Sequence, residues 1–298
     1  MSDHTIALFC KSYIKDIDAV ERLVNSINKY NIENIPFYIS IPRSDARAFK
    51  NRFGNEINLI YDESISSELI NSPINNFEPG YINQQIVKME IWKTGIAENY
   101  FVLDSDGWFI RSFKKSDFIA KGTTPYSVMY QDKELAYDPV YKNFFDVKKE
   151  HVKEIRKMIG GNETRYLTVH NFAILSSHVL RNFREKFLMP RNLTLPLILK
   201  DHSFEFSWYT EWLLKDKSID IIPIEPLFKT YHFEEEYIID RMRGITEKDI
   251  ARSYLGICMN SNWARKFKGK PVMNPIKIFT LLGKYGLRYY FGNFTLKN

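Results

Sequence analysis

The stretch YFVLDSDGWFI, residues 100–110, decides how the rest of the sequence is interpreted. Tyr100 to Leu103 are apolar and predict a buried strand, which runs directly into the acidic triplet Asp104-Ser105-Asp106. Ligands of open α/β sheets gather beyond the carboxyl ends of the strands, so a binding site is expected here. Two carboxylates this close repel unless a cation shares them, and hard oxygen ligands suit Mg²⁺ or Mn²⁺. A polar corner of the Asp-Gly type is the alternative interpretation, because such a turn needs no metal.

The residues before this stretch alternate between strand and helix signals. Strands are predicted at 5–10, 36–41 and 57–61, and helices at 16–30, 44–53 and 80–94. This alternation predicts an α/β fold with a mostly parallel central sheet flanked by helices. Further strands are predicted at 126–130, 166–169 and 219–223, and further helices at 148–159, 177–187 and 207–215.

The bulk composition narrows the class of protein. At 298 residues, with 44% hydrophobic and 26% charged side chains, the chain resembles a soluble globular enzyme and neither a disordered protein nor a membrane-embedded bundle. Cys10 and Cys258 are too few for a disulfide scaffold or a cysteine metal cluster. The N-terminus lacks the features of a signal peptide, so a cytoplasmic location is expected, with a peripheral position on the inner face of the cell membrane as an option.

The positive charge is concentrated at the C-terminal end. Residues 241–298 hold twelve basic and two acidic side chains, a net charge of +10, while the first 240 residues have a net charge of −4. Lys277, Lys284 and Arg288 share one stripe of an apolar segment, which predicts a basic amphipathic helix. This helix suits an anionic membrane surface, but a helix docked on its own domain fits equally well. Nucleic acid is not expected as a partner, because no recognition motif accompanies the charge.

The patterns predict a main domain at residues 1–240 followed by a basic helical extension at 241–298. The apolar strand that ends in Asp104-Ser105-Asp106 after three βα units resembles the GT-A glycosyltransferases, which carry an Asp-x-Asp motif at this place. The resemblance implies that residues 1–240 form a GT-A catalytic domain. The segment GYINQQIVKMEIWK, residues 80–93, is similar to the Gly-aromatic-x-x-Gln-Gln-x-x-Lys motif of a little-characterised bacterial family related to polysaccharide glycosyltransferases. The likeness extends over roughly the first 235 residues.

The resemblance also assigns roles to individual residues. It implies that Asp106 binds the metal directly and that Asp104 contacts the donor ribose or the water shell of the metal. GT-A enzymes often supply a further metal ligand late in the fold, and the segment KTYHFEEE offers His232 for this role. The remaining donor-binding candidates are Ser12, Tyr13 and Asp16 near the base and ribose, Lys88 at the phosphates, and Gln84, Gln85 and Ser105 nearby.

An inverting transferase needs a carboxylate that accepts the proton of the acceptor hydroxyl. The segment HSFEFSWYTEWL, residues 202–213, resembles the Phe-x-Glu-Tyr-x-x-Tyr pattern of the same family, with Phe206 in place of the first Tyr. This comparison makes Glu205 the candidate base and Glu211 its rival. His170 and Asn171 fall where such enzymes begin to contact the acceptor.

The leading hypothesis is a metal-dependent glycosyltransferase with Mn²⁺ or Mg²⁺ as cofactor. Its donor is expected to be a nucleotide-diphosphate sugar, with a UDP-sugar as the first candidate. Its acceptor is expected to be a cell-surface glycan of the lipopolysaccharide or capsule type, either free or linked to lipid. A nucleotidyl or phosphoryl transferase is one alternative, since paired aspartates also hold metal ions for that chemistry. A glycan-binding protein of the same fold without turnover is the other.

Overall fold

A computed structural model of the protein describes residues 3–129, 136–137, 141–162, 172–260 and 275–291. The helices of these residues are α1 Ile17–Tyr30, α2 Ala46–Phe53, α3 Asp62–Ile65, α4 Pro79–Glu90, α5 Lys142–Ile159, α6 Ser177–Asn182, α7 Leu195–Leu199, α8 Glu205–Asp216, α9 Glu234–Met242, α10 Glu247–Ile250 and α11 Pro275–Phe291. The strands are β1 His4–Lys11, β2 Phe37–Ile41, β3 Asn58–Tyr61, β4 Ala97–Asp104, β5 Gly107–Phe109, β6 Ile119–Lys121, β7 Thr124–Pro125, β8 Ser127–Val128, β9 Ala173–Ser176, β10 Pro223–Ile224, β11 Phe228–Tyr231 and β12 Gly256–Met259.

The central sheet has five strands in the order β3-β2-β1-β4-β9. The first four strands run parallel, and β9 pairs antiparallel with the outer edge of β4. Both faces of β1 are covered, which explains its nearly continuous run of buried apolar residues. The predicted α/β fold with a mostly parallel sheet flanked by helices is therefore confirmed.

Side chains that alternate along β1 and β4 divide the interior into two cores. Ala7, Phe9 and Val102 point to one face, where α4, α6 and α8 pack. Leu8 and Leu103 point to the opposite face, where α1, α2 and β5 pack. Because α4 and α8 lie on the same face, their polar side chains can meet at the edge of the sheet where β4 ends.

The helix that precedes β4 ends as the sequence predicts. α4 is followed by a 3-10 turn over Ile91–Thr94, and Gly95 then adopts a left-handed conformation with φ of 69°. Only glycine accepts that conformation readily, so the chain leaves the helix here and enters β4.

Other predicted elements differ from the structure in their extent. The helix predicted at 177–187 is divided into α6 and a π-helical turn over Phe183–Leu188, and this turn brings Phe183 and Phe187 together against Trp208. The strand predicted at 219–223 is reduced to β10, where Pro223–Ile224 pair with β8. The strand predicted at 166–169 lies outside the described residues.

A second sheet with the order β11-β12-β5 stands beside the acidic triplet. β12 pairs parallel with β11 and antiparallel with β5. It lies within residues 241–298 yet bonds to strands from the first 240 residues, and α9 crosses the boundary predicted at residue 240. The proposed two-part division stays a prediction.

The C-terminal helix α11 packs along one face and exposes another. Tyr285 lies 6.0 Å from Tyr141 between ring centroids, and α11 also contacts α9. Ile276, Phe279 and Leu287 are 80%, 83% and 61% exposed. Among the described residues, no helix combines the length and the apolar character that crossing a membrane requires.

Candidate active site

The strand order of the central sheet places the expected ligand crevice at the carboxyl ends of β1 and β4. The chain builds outward from β1 through β2 to β3 and then returns to the other side of β1 with β4. Lys11, the last residue of β1, is the register partner of Asp104, the last residue of β4. In sheets of this kind ligands bind at the carboxyl ends of the strands where the order reverses, so the acidic triplet lies where a ligand is expected.

Lys88 joins two carboxylates at this crevice. Its ammonium nitrogen lies 2.7 Å from Asp104 Oδ1 and 2.8 Å from Glu205 Oε1. Burial alone would lower the pKa of Lys88, but the charges of Asp104 and Glu205 outweigh it and raise the pKa above its ordinary value. Lys88 therefore stays protonated between the two carboxyl groups.

The three residues of this trio come from separate elements on one face of the sheet. Lys88 is in the last turn of α4, Asp104 ends β4 and Glu205 begins α8. Lys88 is 2% exposed and Glu205 8%, whereas the Asp104 side chain retains 30% of its exposure. Asp104 is thus the member of the trio that presents its carboxylate most openly to a ligand.

Asp106 has a different set of neighbours. Its Oδ1 accepts a hydrogen bond from the Cys258 thiol at 3.2 Å, and its carbonyl oxygen accepts one from the Met259 N–H at 3.2 Å. Burial raises the pKa of the Cys10 and Cys258 thiols, and Asp104 and Asp106 raise both further. Both carboxylates therefore act electrostatically on the same two buried sulfur atoms.

The glycine after the triplet has a packing role. A Cβ atom at Gly107 would lie 3.0 Å from the Phe172 ring, tighter than most real contacts of a Cβ atom, so the ring would have to shift. The φ angle of Gly107 is not positive, so the turn itself does not require glycine. The Asp-Gly sequence here allows β5 to approach Phe172.

Arg22 is a cation at the site that the sequence did not reveal. It stacks on Trp108 with 4.3 Å between the guanidinium carbon and the ring centroid, and its Nε is buried without a hydrogen-bond partner in the described part of the chain. Burial lowers the pKa of Arg22, while the charge of Asp106 opposes that shift. Position 22 carried no signal, because it lies in an ordinary amphipathic helix.

His232 stands at the same end of the second sheet as Asp106. It follows β11, Asp106 precedes β5, and β12 separates the two strands, so their backbones are two strand spacings apart, about 10 Å. His232 lines a cleft together with Phe144, Asn260 and Leu281. Within the described residues, Asp104, Asp106 and His232 do not form a group with ligand atoms within 4.8 Å of one another.

The residues expected around the base and ribose follow β1. Ser12 is 2% exposed, and its hydroxyl oxygen has no hydrogen-bond partner among the described residues. Tyr13 and Asp16 are half-buried at the ends of the 3-10 turn that follows, where the Asp16 N–H donates to the Tyr13 carbonyl oxygen at 3.0 Å. This turn borders the crevice on the β1 side.

Lys11, at the end of β1, forms a buried ion pair that the sequence analysis did not predict. Its ammonium nitrogen lies 3.0 Å from Asp62 Oδ2 and 2.5 Å from the Ser12 carbonyl oxygen. Burial raises the pKa of Asp62, while Lys11 acts in the opposite direction. A lysine at the end of a fully apolar strand was the available signal for such a buried pair.

The Gln-Gln segment lies on the side of α4 that faces α8. The Tyr81 hydroxyl oxygen is 3.3 Å from the Ser203 hydroxyl oxygen. Tyr81 and Lys88 lie on the same stripe of α4, because they are seven residues apart. Gln85 is buried and donates to the Tyr81 carbonyl oxygen at 3.2 Å, but its own Oε1 has no partner in the described part of the chain. Gln84 is half-buried beside it.

Glu211, the rival candidate base, is part of a separate ion pair. Arg156 of α5 holds it through two bonds of 2.7 and 2.9 Å, and its side chain is 1% exposed. Six residues along a helix rotate a side chain by about 240°, so Glu205 and Glu211 face different directions. The structure brings Glu205, Asp104 and Lys88 together and does not bring Glu211 to them. His170 and Asn171 lie outside the described residues.

Comparisons with known proteins identify a family and similar solved structures. The profile of a family described as "Family of unknown function (DUF6492)" matches residues 5–236. Mouse xyloside xylosyltransferase 1 is a similar solved structure, with a TM-score of 0.49 and 10% identity over 89% of this chain and 99% of that one. The bifunctional glycosyltransferase WbbM is another, with a TM-score of 0.49 and 9% identity over 86% of this chain, which spans 46% of WbbM. No curated protein matches the sequence.

Proposed function

The chain belongs to the DUF6492 family of unknown function, and we propose from the geometry of its site that it is a metal-dependent glycosyltransferase. One observation carries the proposal. The Asp104 side chain is partly exposed at the carboxyl end of β4, where the strand order of the mostly parallel sheet reverses. Lys88 forms ion pairs with both Asp104 and the buried carboxylate of Glu205. In this proposal Asp104 serves the donor and Glu205 serves the acceptor, and the Lys88 side chain contacts both carboxylates.

The donor in this proposal is a nucleotide-diphosphate sugar, with UDP as the first nucleotide to test. Ser12 Oγ, Gln85 Oε1 and Arg22 Nε are buried polar atoms without partners among the described residues. Buried polar atoms are rarely left unpaired in proteins, so such groups are suited to pair with a bound ligand. Arg22 suits phosphate oxygens, and Ser12 suits a ribose or phosphate group.

The oxygen-rich donor set fits Mn²⁺ or Mg²⁺. We propose that Asp104 and Asp106 hold the ion and that His232 is a further ligand for Mn²⁺. A bound ion of this kind neutralises the charge that develops on the departing diphosphate. Lys88 balances part of the charge of Asp104 before any ligand arrives, which limits the repulsion within the triplet.

Glu205 is the proposed general base. It accepts the proton of the acceptor hydroxyl as that oxygen bonds to the anomeric carbon, while the bond from this carbon to the diphosphate breaks with its electron pair. A single displacement of this kind inverts the configuration of the sugar. Lys88 positions Glu205 through the 2.8 Å ion pair, and Glu211 is occupied by Arg156.

The proposed acceptor is a cell-surface glycan of the lipopolysaccharide or capsule type, either free or linked to lipid. A lipid-linked acceptor would be met at a membrane surface. The exposed apolar side chains of α11 and the net charge of +10 in residues 241–298 suit an anionic inner membrane face. We propose that the enzyme acts in the cytoplasm, at the periphery of that membrane.

The proposal is tested by turnover of nucleotide sugars with MnCl₂. We expect Asp106→Ala to abolish metal-dependent hydrolysis or transfer, and Glu205→Gln to lower turnover by about 10²–10⁴-fold, the usual contribution of a general base. Glu150→Gln, an exposed acid on α5, is the matched control and should keep wild-type turnover. Unchanged turnover in Asp106→Ala would falsify the mechanism.

The same protein distinguishes the alternatives by thermal shift. If nucleoside triphosphates raise Tm and nucleotide sugars do not, a nucleotidyl or phosphoryl transferase replaces the proposal. If glycan binding persists after all divalent ions are chelated and no turnover is found, a glycan-binding protein replaces it.

A further inference from the structure

A cluster of three metal-ligating side chains contains none of the residues of the acidic triplet. His151 and Glu154 are one turn apart on α5, and His202 precedes α8. The two Nδ1 atoms of His151 and His202 are 3.3 Å apart, and His202 Nδ1 lies 3.5 Å from Glu154 Oε2. Among the described residues, these form the one group of three such side chains with ligand atoms within 4.8 Å of one another.

The spacing of the ligand atoms matches a tetrahedral ion. Zinc–nitrogen bonds of about 2.0–2.1 Å place two tetrahedral ligands about 3.3–3.4 Å apart. Adjacent ligands of an octahedral ion with bonds of about 2.1 Å lie closer, at about 3.0 Å. The observed distances of 3.3 and 3.5 Å therefore fit tetrahedral geometry better than octahedral geometry.

The chemistry of the three side chains points to the same ion. Two imidazoles and one carboxylate are ligands that zinc accepts, and a carboxylate balances part of its charge. We propose that His151, Glu154 and His202 bind a zinc ion, with water as the fourth ligand.

The surroundings hold the ligands in place and leave a route for the ion. The His202 carbonyl oxygen accepts a hydrogen bond from Trp208 Nε1 at 2.9 Å, and the His151 ring lies 5.3 Å from the Phe204 ring. The Glu154 side chain is 59% exposed, whereas that of His202 is 14% exposed. An ion can enter from the solvent on the side of Glu154.

The position of the cluster gives the ion a structural consequence. His202 stands three residues before Glu205, and α5 is a separate helix. Zinc would tie the segment that leads into α8 to α5 and so fix the point where α8 begins. The binding of zinc does not depend on the proposed transferase activity.

The inference is tested by equilibrium dialysis of the full chain against Zn²⁺, followed by metal analysis. We expect one ion per wild-type chain and a rise in Tm on the order of 5 °C at saturating zinc. His151→Ala and His202→Ala should each weaken binding at least tenfold, and Glu154→Gln, in an exposed position, should weaken binding without loss of the fold. His178→Ala, an exposed histidine on α6, is the control and should bind like the wild type.

Two outcomes would overturn the inference. One is wild-type protein that binds no zinc at micromolar concentration, or histidine variants that bind as tightly as the wild type. The other is loss of the ion in Asp106→Ala, because this would place it at the acidic triplet. Co²⁺ in place of zinc gives a separate check, since its visible absorption spectrum distinguishes tetrahedral from octahedral coordination and should change in His151→Ala.

Discussion

Two buried lysines at the carboxyl edge of the sheet are compensated in different ways. Lys11 faces Asp62 beneath β1, whereas Lys88 faces both Asp104 and Glu205. Buried charges persist only when they are paired, so each lysine needs its carboxylate neighbours to remain in the interior. The Lys11 pair secures the strand ends, and the Lys88 pairs place two acids at the crevice.

The two thiols permit a prediction at the same scale. Burial, with the charges of Asp104 and Asp106, raises the pKa of Cys10 and Cys258, so the native protein holds little thiolate at pH 8. The pKa of each thiol is higher in the folded protein than in the unfolded chain. The free energy of unfolding therefore keeps its full value below the ordinary thiol pKa and decreases as the pH rises towards the folded pKa. We expect both thiols to resist a disulfide reagent at pH 8 in the native state and to react in denaturant.

An engineered surface thiol supplies the control for that measurement. Lys50→Cys, at an exposed position of α2, should react at once in the native protein. Reaction of Cys10 or Cys258 at the rate of this control would contradict the burial and the pKa shifts given above.

At the scale of elements, α8 forms buried ion pairs with two neighbouring helices, α4 and α5. Its first residue, Glu205, meets α4 through Lys88, while Glu211 meets α5 through Arg156. Nearly all of its side chains are buried, so the helix is enclosed by other elements and not only packed on one side. The site therefore depends on how α4, α5 and α8 pack together.

Arg156→Met tests the pairing of α5 with α8. The substitution removes the two bonds by which Arg156 holds the buried Glu211 carboxylate, and we expect a loss of about 3–5 kcal/mol in the free energy of unfolding. Urea denaturation gives this value. Lys153→Met is the control, because it removes only an exposed pair with Glu150, worth less than about 1 kcal/mol. Equal losses in the two variants would contradict the importance of the buried pair.

The exposed face of α11 supplies a prediction about membranes. Phe279→Asp should lower binding to vesicles that contain phosphatidylglycerol by about tenfold or more, because a buried Phe side chain contributes about 1.5–3 kcal/mol. Cosedimentation measures the binding, and added salt should weaken it. Met158→Asp makes the same charge change on an exposed residue of α5 and should bind like the wild type. If both variants bind equally well, α11 does not face the membrane.

At the scale of the whole molecule, two sheets meet at the acidic triplet. The central sheet ends at Asp104, and the second sheet begins after Asp106, so the triplet links the two. A ligand held by both carboxylates would therefore stabilise both sheets together. This arrangement makes ligand binding visible as a change in Tm of the whole protein.

Chelation tests this coupling. We expect nucleotide sugars with MnCl₂ to raise Tm by several degrees, on the order expected for a ligand well above its Kd, and EDTA to remove that rise. The measurement is made in His151→Ala, so that the proposed zinc site does not contribute. Asp106→Ala in the same background should show no rise at all. A rise that EDTA leaves intact would mean that the ligand binds without the metal.

Local patterns were sufficient to predict the parallel sheet and the place of the acidic triplet. The 3.6-residue spacing of α1, the apolar run of β4 and the glycine after α4 are all properties of neighbouring residues, and they set secondary structure directly. Parallel strands bring their carboxyl ends to one edge of the sheet, and ligands of open α/β sheets bind there. The sequence alone therefore determined which end of the sheet would carry the site.

Only the tertiary structure decided which side chains meet there. Lys88 and Glu205 are 117 residues apart in the chain, and Asp106 and Cys258 are 152 apart. No local pattern encodes such contacts, because they depend on how helices pack across the sheet. The same reason separates Glu205 from Glu211: both lie on one helix, and the packing of α4 and α5 determines which partner each acid meets.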